Sequence, residues 1–135
     1  MLAFRHPLQL TKSLNKRISY FLKEYERGRT PNPDVLCNRE IKFGPFKEHA
    51  LALGADYIAT GHYCDIAHEG DKSFLLKAAD TGKDQTYFLA CLNQEQLARI
   101  QFPLGGLTKQ EVRAIAEENG FINARKHDSQ DICFV

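Results

Sequence analysis

A chain of 135 residues, 43% hydrophobic and 26% charged, is sized for one domain with one apolar core. Its formal net charge of +1 leaves no global basic field for nucleic acid, although a local basic patch is compatible with that total. No apolar run reaches the length of a membrane span. The four cysteines, Cys37, Cys64, Cys91 and Cys133, include no C-x-x-C pair, so the usual zinc and thioredoxin-type spacings are excluded. Individually placed thiols of an intracellular protein fit better than a disulfide scaffold.

Residues 1–17 hold Arg5, Lys12, Lys16 and Arg17 with no acidic residue, a composition compatible with an organelle transit peptide. The plainer reading is a chain that begins partway through a longer gene product. Ile18, Phe21, Leu22 and Tyr25 then form the i, i+3, i+4, i+7 stripe of an amphipathic helix, with Gly28 placed to end it. Gly28 to Asp34 carries two prolines two residues apart, which predicts a fixed, extended loop. A second helix is expected over Pro45 to Leu53, closed by Gly54.

Asp56 to Thr60 reads as a short buried strand followed by Gly61-His62-Tyr63. Tyr63 to Ala67 and Ser73 to Lys77 read as two strands joined by a turn at Glu69, Gly70 and Asp71. Two short helical stretches follow, Asp84 to Cys91 and Gln94 to Ile100, the second with Asn93 as N-cap. Thr108-Lys109-Gln110-Glu111 is a capping box that opens a helix expected to stop at Gly120. Ile132 to Val135 suits a buried strand. Helices alternating with strands imply an α/β layer fold, with no repeat, linker or low-complexity segment.

Several residues can carry chemistry, each with an ordinary alternative. Asp34 precedes Cys37 by three residues, so a carboxylate could serve as general acid or base beside a thiol. A small core cysteine near a turn aspartate has the same spacing. Cys133 follows a polar loop, Asp128 to Asp131, at the start of an apolar strand, where α/β sheets bind ligands; its apolar neighbours equally fit a core cysteine. Cys64 and Cys91 read as core or incidental. Gly61 would let a ligand approach the backbone, and His62 could donate to a phosphate or base or be a satisfied structural residue. Lys83-Asp84-Gln85 at a helix start suits an anion as well as it suits an N-cap with a solvated lysine. Arg27, Arg29, Arg125, Lys126 and His127 flank the two thiol loops as a phosphate-contacting rim or a charged surface.

Taken in order, the strings G-R-T-P-N-P-D-V-L-C-N, I-K-F, L-G-A-D-Y-I-A-T-G-H-Y, K-D-Q-T-Y-F-L and D-S-Q-D-I-C-F closely resemble those of the bacterial and mitochondrial tRNA 2-thiouridylases. The resemblance runs from about Tyr20 to Val135. It implies an adenine-nucleotide α-hydrolase-like fold of the PP-loop, Rossmann-like type, here with an incomplete parallel sheet and a small β-hairpin. It implies ATP, with magnesium, as the activator of C2 of the wobble uridine. It also implies tRNA as substrate, and a sulfur-relay protein or cysteine desulfurase as donor.

Residue by residue, Cys133 matches the cysteine that bears the persulfide and Cys37 its partner nucleophile, the two forming a disulfide at each turnover. Asp34 matches the general acid/base. Asn32, Pro33 and Asp34 match the loop that holds the target base. Gly61 matches a backbone contact to ATP, and His62, Lys83, Asp84 and Gln85 match tRNA contacts. The Ser-Gly-Gly-Val-Asp-Ser-type loop of the family has no counterpart, since the only double glycine is Gly105-Gly106. Nor are the family's later tRNA-gripping domains present. The expected organisation is therefore an unmatched segment over 1–17 and the C-terminal part of the catalytic domain over 18–135, unable to adenylate RNA alone. A non-catalytic RNA- or partner-binding remnant is the alternative, and a PP-loop ligase with another substrate is less favoured because it would lack the paired thiol motifs. The resemblance implies the bacterial cytoplasm, or alternatively the mitochondrial matrix.

Overall fold

The computed structural model describes residues 19–20 and 22–126. Helical backbone at 19–20 and 22–26 forms α1, as the apolar spacing predicts, although Leu22 and Tyr25 of that stripe are exposed and Glu24 is the buried residue among those described. It ends where expected: Gly28 takes φ 69°, and its N–H donates to the Tyr25 carbonyl at 2.9 Å. The left-handed value is one that glycine adopts without a Cβ penalty.

The following loop is shorter than its prolines predict. Helix α2 begins at Pro33 and runs to Cys37. Asn32 caps it, its Oδ1 accepting from the N–H groups of Asp34 at 3.0 Å and Val35 at 3.2 Å. Proline at the first helical position has no N–H to leave unpaired and its φ is already helical. Pro33 therefore starts a helix, and Asp34 lies in its first turn.

A π-helix, Asn38–Phe46, continues directly from α2 and contains a break at Gly44 (φ −110°, ψ −112°) just before Pro45. Helix α3, Lys47–Ala52, follows, and Gly54 closes it at φ 95°. The expected second helix is thus the far side of a kink that proline and glycine together explain.

Strand β1, Ile58–Ala59, pairs in parallel with β4, Ile100–Gln101, with Ile58 opposite Ile100. The helix expected to run through Ile100 stops earlier, as α4, Gln94–Leu97. A two-residue strand has no periodicity to read; Ile100 is fixed by the pairing of its neighbours, Ile58 N–H with Arg99 O at 3.0 Å and Thr60 N–H with Gln101 O at 3.1 Å. Strands β2, Cys64–Glu69, and β3, Lys72–Lys77, form the expected antiparallel hairpin. Its turn is Gly70-Asp71, with Gly70 at φ 57°, as a tight primed turn requires.

Thr86–Leu89 is a single 3₁₀ turn within the stretch expected to be helical. Helix α5, Lys109–Glu118, has the full capping box: Thr108 Oγ1 accepts from the Glu111 N–H at 3.2 Å, and Glu111 Oε2 accepts from the Thr108 N–H at 2.7 Å. Gly120 follows at φ 68°. The strand expected over Ile132–Val135 lies outside the described residues.

Phe43, Ile58, Cys64, Leu89, Ile100 and Phe102 form the buried core. It joins the π-helix, the parallel pair, the hairpin and the 3₁₀ turn, so the loops around these elements are held in fixed relation. The result is an α/β fold with a short parallel sheet, two strands wide among the described residues. No described helix is long and apolar enough to cross a membrane.

Candidate active site

Asp34 and Cys37 lie three residues apart in α2, a spacing that puts both on one helical face, and both are partly exposed. The next residue, Asn38, is 2% exposed. Its backbone N–H reaches back to the carbonyls of Asp34 and Val35. Its side-chain Nδ2 donates to the Phe88 carbonyl at 3.2 Å, which ties the thiol-bearing helix to the 3₁₀ turn. Asn38 Oδ1 is buried without a hydrogen-bond partner.

The segment Lys83-Asp84-Gln85 leads into that turn. Asp84 Oδ1 accepts from the Ala78 N–H at 3.0 Å, and the Thr86 hydroxyl donates to Asp84 Oδ2. Desolvation works to raise the Asp84 pKa. The Thr86 hydroxyl, the N–H groups of Ala78 and Thr86, and Lys77 together outweigh it and hold the carboxyl below its ordinary range. Gln85 is bonded to Tyr63 through both its backbone and its side chain. Asp84 and Gln85 therefore order the loop, while Lys83 is exposed.

His62 is 9% exposed and clusters with the rings of Phe43 and Phe102, with centroids 6.0 Å and 6.2 Å away. Thr60 Oγ1 lies 2.8 Å from its Nδ1. Burial, and then the positive charge of Lys42, lower its pKa to about 4. The imidazole is neutral at pH 7 and is a hydrogen-bonding group rather than a cation. Gly61 beside it is exposed, and a Cβ there would meet nothing nearer than Leu104 Cδ1 at 3.7 Å. The backbone at that point is open to close approach.

The structure thus brings Asn32, Pro33, Asp34 and Cys37 to the 83–89 segment through Asn38, and that segment to Tyr63 and His62 through Gln85. Cys64 is fully buried, and burial, then Asp84 and Asp65, push its thiol up to about 12, so it is an inert core thiol. Cys91 is exposed. Arg27 and Arg29 both pair with Glu24, at 3.1 Å and 3.3 Å, and Arg125 pairs with Glu117 at 3.1 Å. Cys133 and His127 lie outside the described residues. No group of three or more His, Cys, Asp or Glu that could hold a metal ion occurs among the described residues. Sequence reasoning gave no role to Asn38 or Tyr63; Asn38 acts through its side-chain amide and Tyr63 through its backbone groups, each across a long sequence separation for which one sequence has no signal.

Residues 7–135 match the family model described as the tRNA methyl transferase HUP domain, and the chain belongs to that family. Among curated relatives, it is 58% identical over 122 residues to the tRNA-specific 2-thiouridylase MnmA of Lysinibacillus sphaericus (strain C3-41). It is 57% identical over 121 residues to the protein of that name from Halalkalibacterium halodurans, and 56% identical over 122 residues to that from Staphylococcus aureus (strain Newman). Each alignment covers 90% of this chain and 33% of the relative, so the chain spans about a third of their length.

Proposed function

We propose that this chain supplies the sulfur-transfer part of a tRNA 2-thiouridylase active site. The observation that supports this most is the packing of α2, with Asp34 and Cys37 on one face, against the 3₁₀ turn that follows Lys83-Asp84-Gln85. A reactive pair and a segment suited to RNA contact are adjacent, and Asn38 fixes their separation. The names of the relatives carry the substrate class and the modification.

ATP with magnesium would supply the activation that turns the C2 oxygen of the wobble uridine into a leaving group, and the exposed backbone at Gly61 fits a nucleotide contact. Asn32, Pro33 and Asp34 would hold the base; Asn32 does so from a position that also caps α2, so the loop is rigid when the base arrives. Lys83 would pair with RNA phosphate, while His62, Asp84 and Gln85 shape the contact surface. Asp34 moves the proton. Cys133, loaded as a persulfide by a sulfur-relay protein or a cysteine desulfurase, gives its outer sulfur to C2, and the activated C2 oxygen departs with the electrons of the broken C–O bond as part of AMP. The Cys37 thiolate attacks the inner sulfur of Cys133. A Cys37–Cys133 disulfide forms, and the outer sulfur departs with the electron pair of the broken S–S bond. An external dithiol then returns two electrons and two protons to restore both thiols.

The test is in vitro sulfuration of unmodified tRNA with ATP, magnesium and a persulfide donor, with 2-thiouridine read by mass spectrometry after nuclease digestion. It requires the whole polypeptide that carries the chain. Cys37→Ser, Cys133→Ser and Asp34→Asn should each abolish the product. Undiminished product from Cys37→Ser would refute the assignment.

A further inference from the structure

We propose that Tyr87 is a stacking platform for a nucleobase of the RNA bound at this site, a role that rests on the reading of the chain as an RNA-modifying unit. Tyr87 is 58% exposed, although it lies in the 3₁₀ turn Thr86–Leu89, whose other end, Leu89, belongs to the core. Its ring packs on Phe88, with centroids 4.0 Å apart and planes tilted by 40°.

The turn is held on three sides. Asn38 donates to the Phe88 carbonyl, Asp84 accepts from the Thr86 hydroxyl, and Gln85 is bonded to Tyr63 through its backbone and its side chain. A large aromatic side chain half open to water, on a turn immobilised this thoroughly, has its backbone already ordered before any ligand arrives. Stacking on it then costs little further conformational entropy. Its place is also specific. The turn packs against α2, which carries Asp34 and Cys37, and Lys83 is four residues earlier. A single-stranded base beside the one being modified needs a flat apolar face near a cation, because unstacked bases are recognised by aromatic side chains together with charge on the backbone.

The experiment uses an anticodon stem-loop RNA carrying 2-aminopurine next to the wobble uridine, titrated with the whole polypeptide. Stacking quenches 2-aminopurine, so wild type should quench the probe as it binds. Tyr87→Ala should lose the quench and bind about tenfold more weakly, in line with the usual effect of removing one base–aromatic stack. Tyr87→Phe should keep both properties. Tyr87→Leu, which retains bulk without a π face, should behave as alanine does. The slope of affinity against salt should stay unchanged in all three, since no phosphate contact is removed. Unaltered quenching and affinity in Tyr87→Ala, with wild type binding normally, would overturn the platform alone. Absence of RNA binding by wild type would overturn the platform and the parent reading together.

Discussion

Gln85 holds Tyr63 at both of its backbone polar groups: Gln85 Oε1 accepts from the Tyr63 N–H at 2.9 Å, and the Gln85 N–H donates to the Tyr63 carbonyl at 2.8 Å. These bonds span 22 residues of sequence and join the start of the hairpin to the 3₁₀ turn. Gln85→Leu should leave the Tyr63 N–H buried and unpaired, at a cost of about 1–3 kcal/mol. Gln85→Glu, which keeps the acceptor oxygen, should cost less. Urea unfolding of the two variants measures the difference, and equal losses would mean that the side-chain bond is not what matters.

The thiols should separate by reactivity. Cys64 is buried and its pKa is raised to about 12, so it should resist iodoacetamide in the native state at pH 8. Cys91, exposed, and Cys37, partly exposed, should be alkylated. Peptide mass mapping after timed quenching reads this directly. Rapid native labelling of Cys64 would contradict the packing described for β2.

Acid should weaken the fold through His62. Its folded pKa is about 4 against an ordinary 6.5, so between those values the unfolded chain holds a proton that the folded chain does not. Stability therefore falls as pH drops through 6.5, and this contribution stops changing below about 4. The total is on the order of 3 kcal/mol. His62→Phe should flatten that part of the stability–pH curve, as measured by denaturant midpoints from pH 7 to pH 4. An unchanged curve would mean that His62 is accessible to protons in the native state.

Gly105 permits a close crossing that no other residue would. A Cβ there would overlap the Cys64 carbonyl and sit 2.8 Å from Asp65 Cβ, whereas at Gly106 it would meet nothing within 4 Å. Gly105→Ala should destabilise the fold by about 1–3 kcal/mol as the backbone shifts. Gly106→Ala should leave the thermal midpoint nearly unmoved. Similar midpoints for the two variants would disprove the contact.

The helices that begin or end on a chemical signal could be read from the sequence. Thr108 and Glu111 announced α5, Gly28 and Gly120 marked helix ends, and Gly70 lay in the hairpin turn. The parts missed were those fixed by distant partners. The strand at Ile100 exists because Ile58 lies beside it, and the π-helix after Cys37 has no pattern distinct from an α-helix. The spacing of Pro31 and Pro33 predicts a helix-free loop, but the place of Pro33 one residue after a capping Asn makes it a helix starter. For the site, the motifs identified Asp34, Cys37 and Lys83-Asp84-Gln85 as candidates. That Asn38 would bind one group to the other required the fold.

The proposed sulfur relay requires Cys37 to meet Cys133, and mild oxidation followed by non-reducing peptide mapping tests whether the two thiols do. A disulfide needs Cα atoms within about 7 Å, so it reports convergence in space. A specific Cys37–Cys133 bridge should form, with Cys64 and Cys91 recovered as free thiols. No bridge in the folded protein, or Cys37 paired instead with Cys64 or Cys91, would contradict the relay.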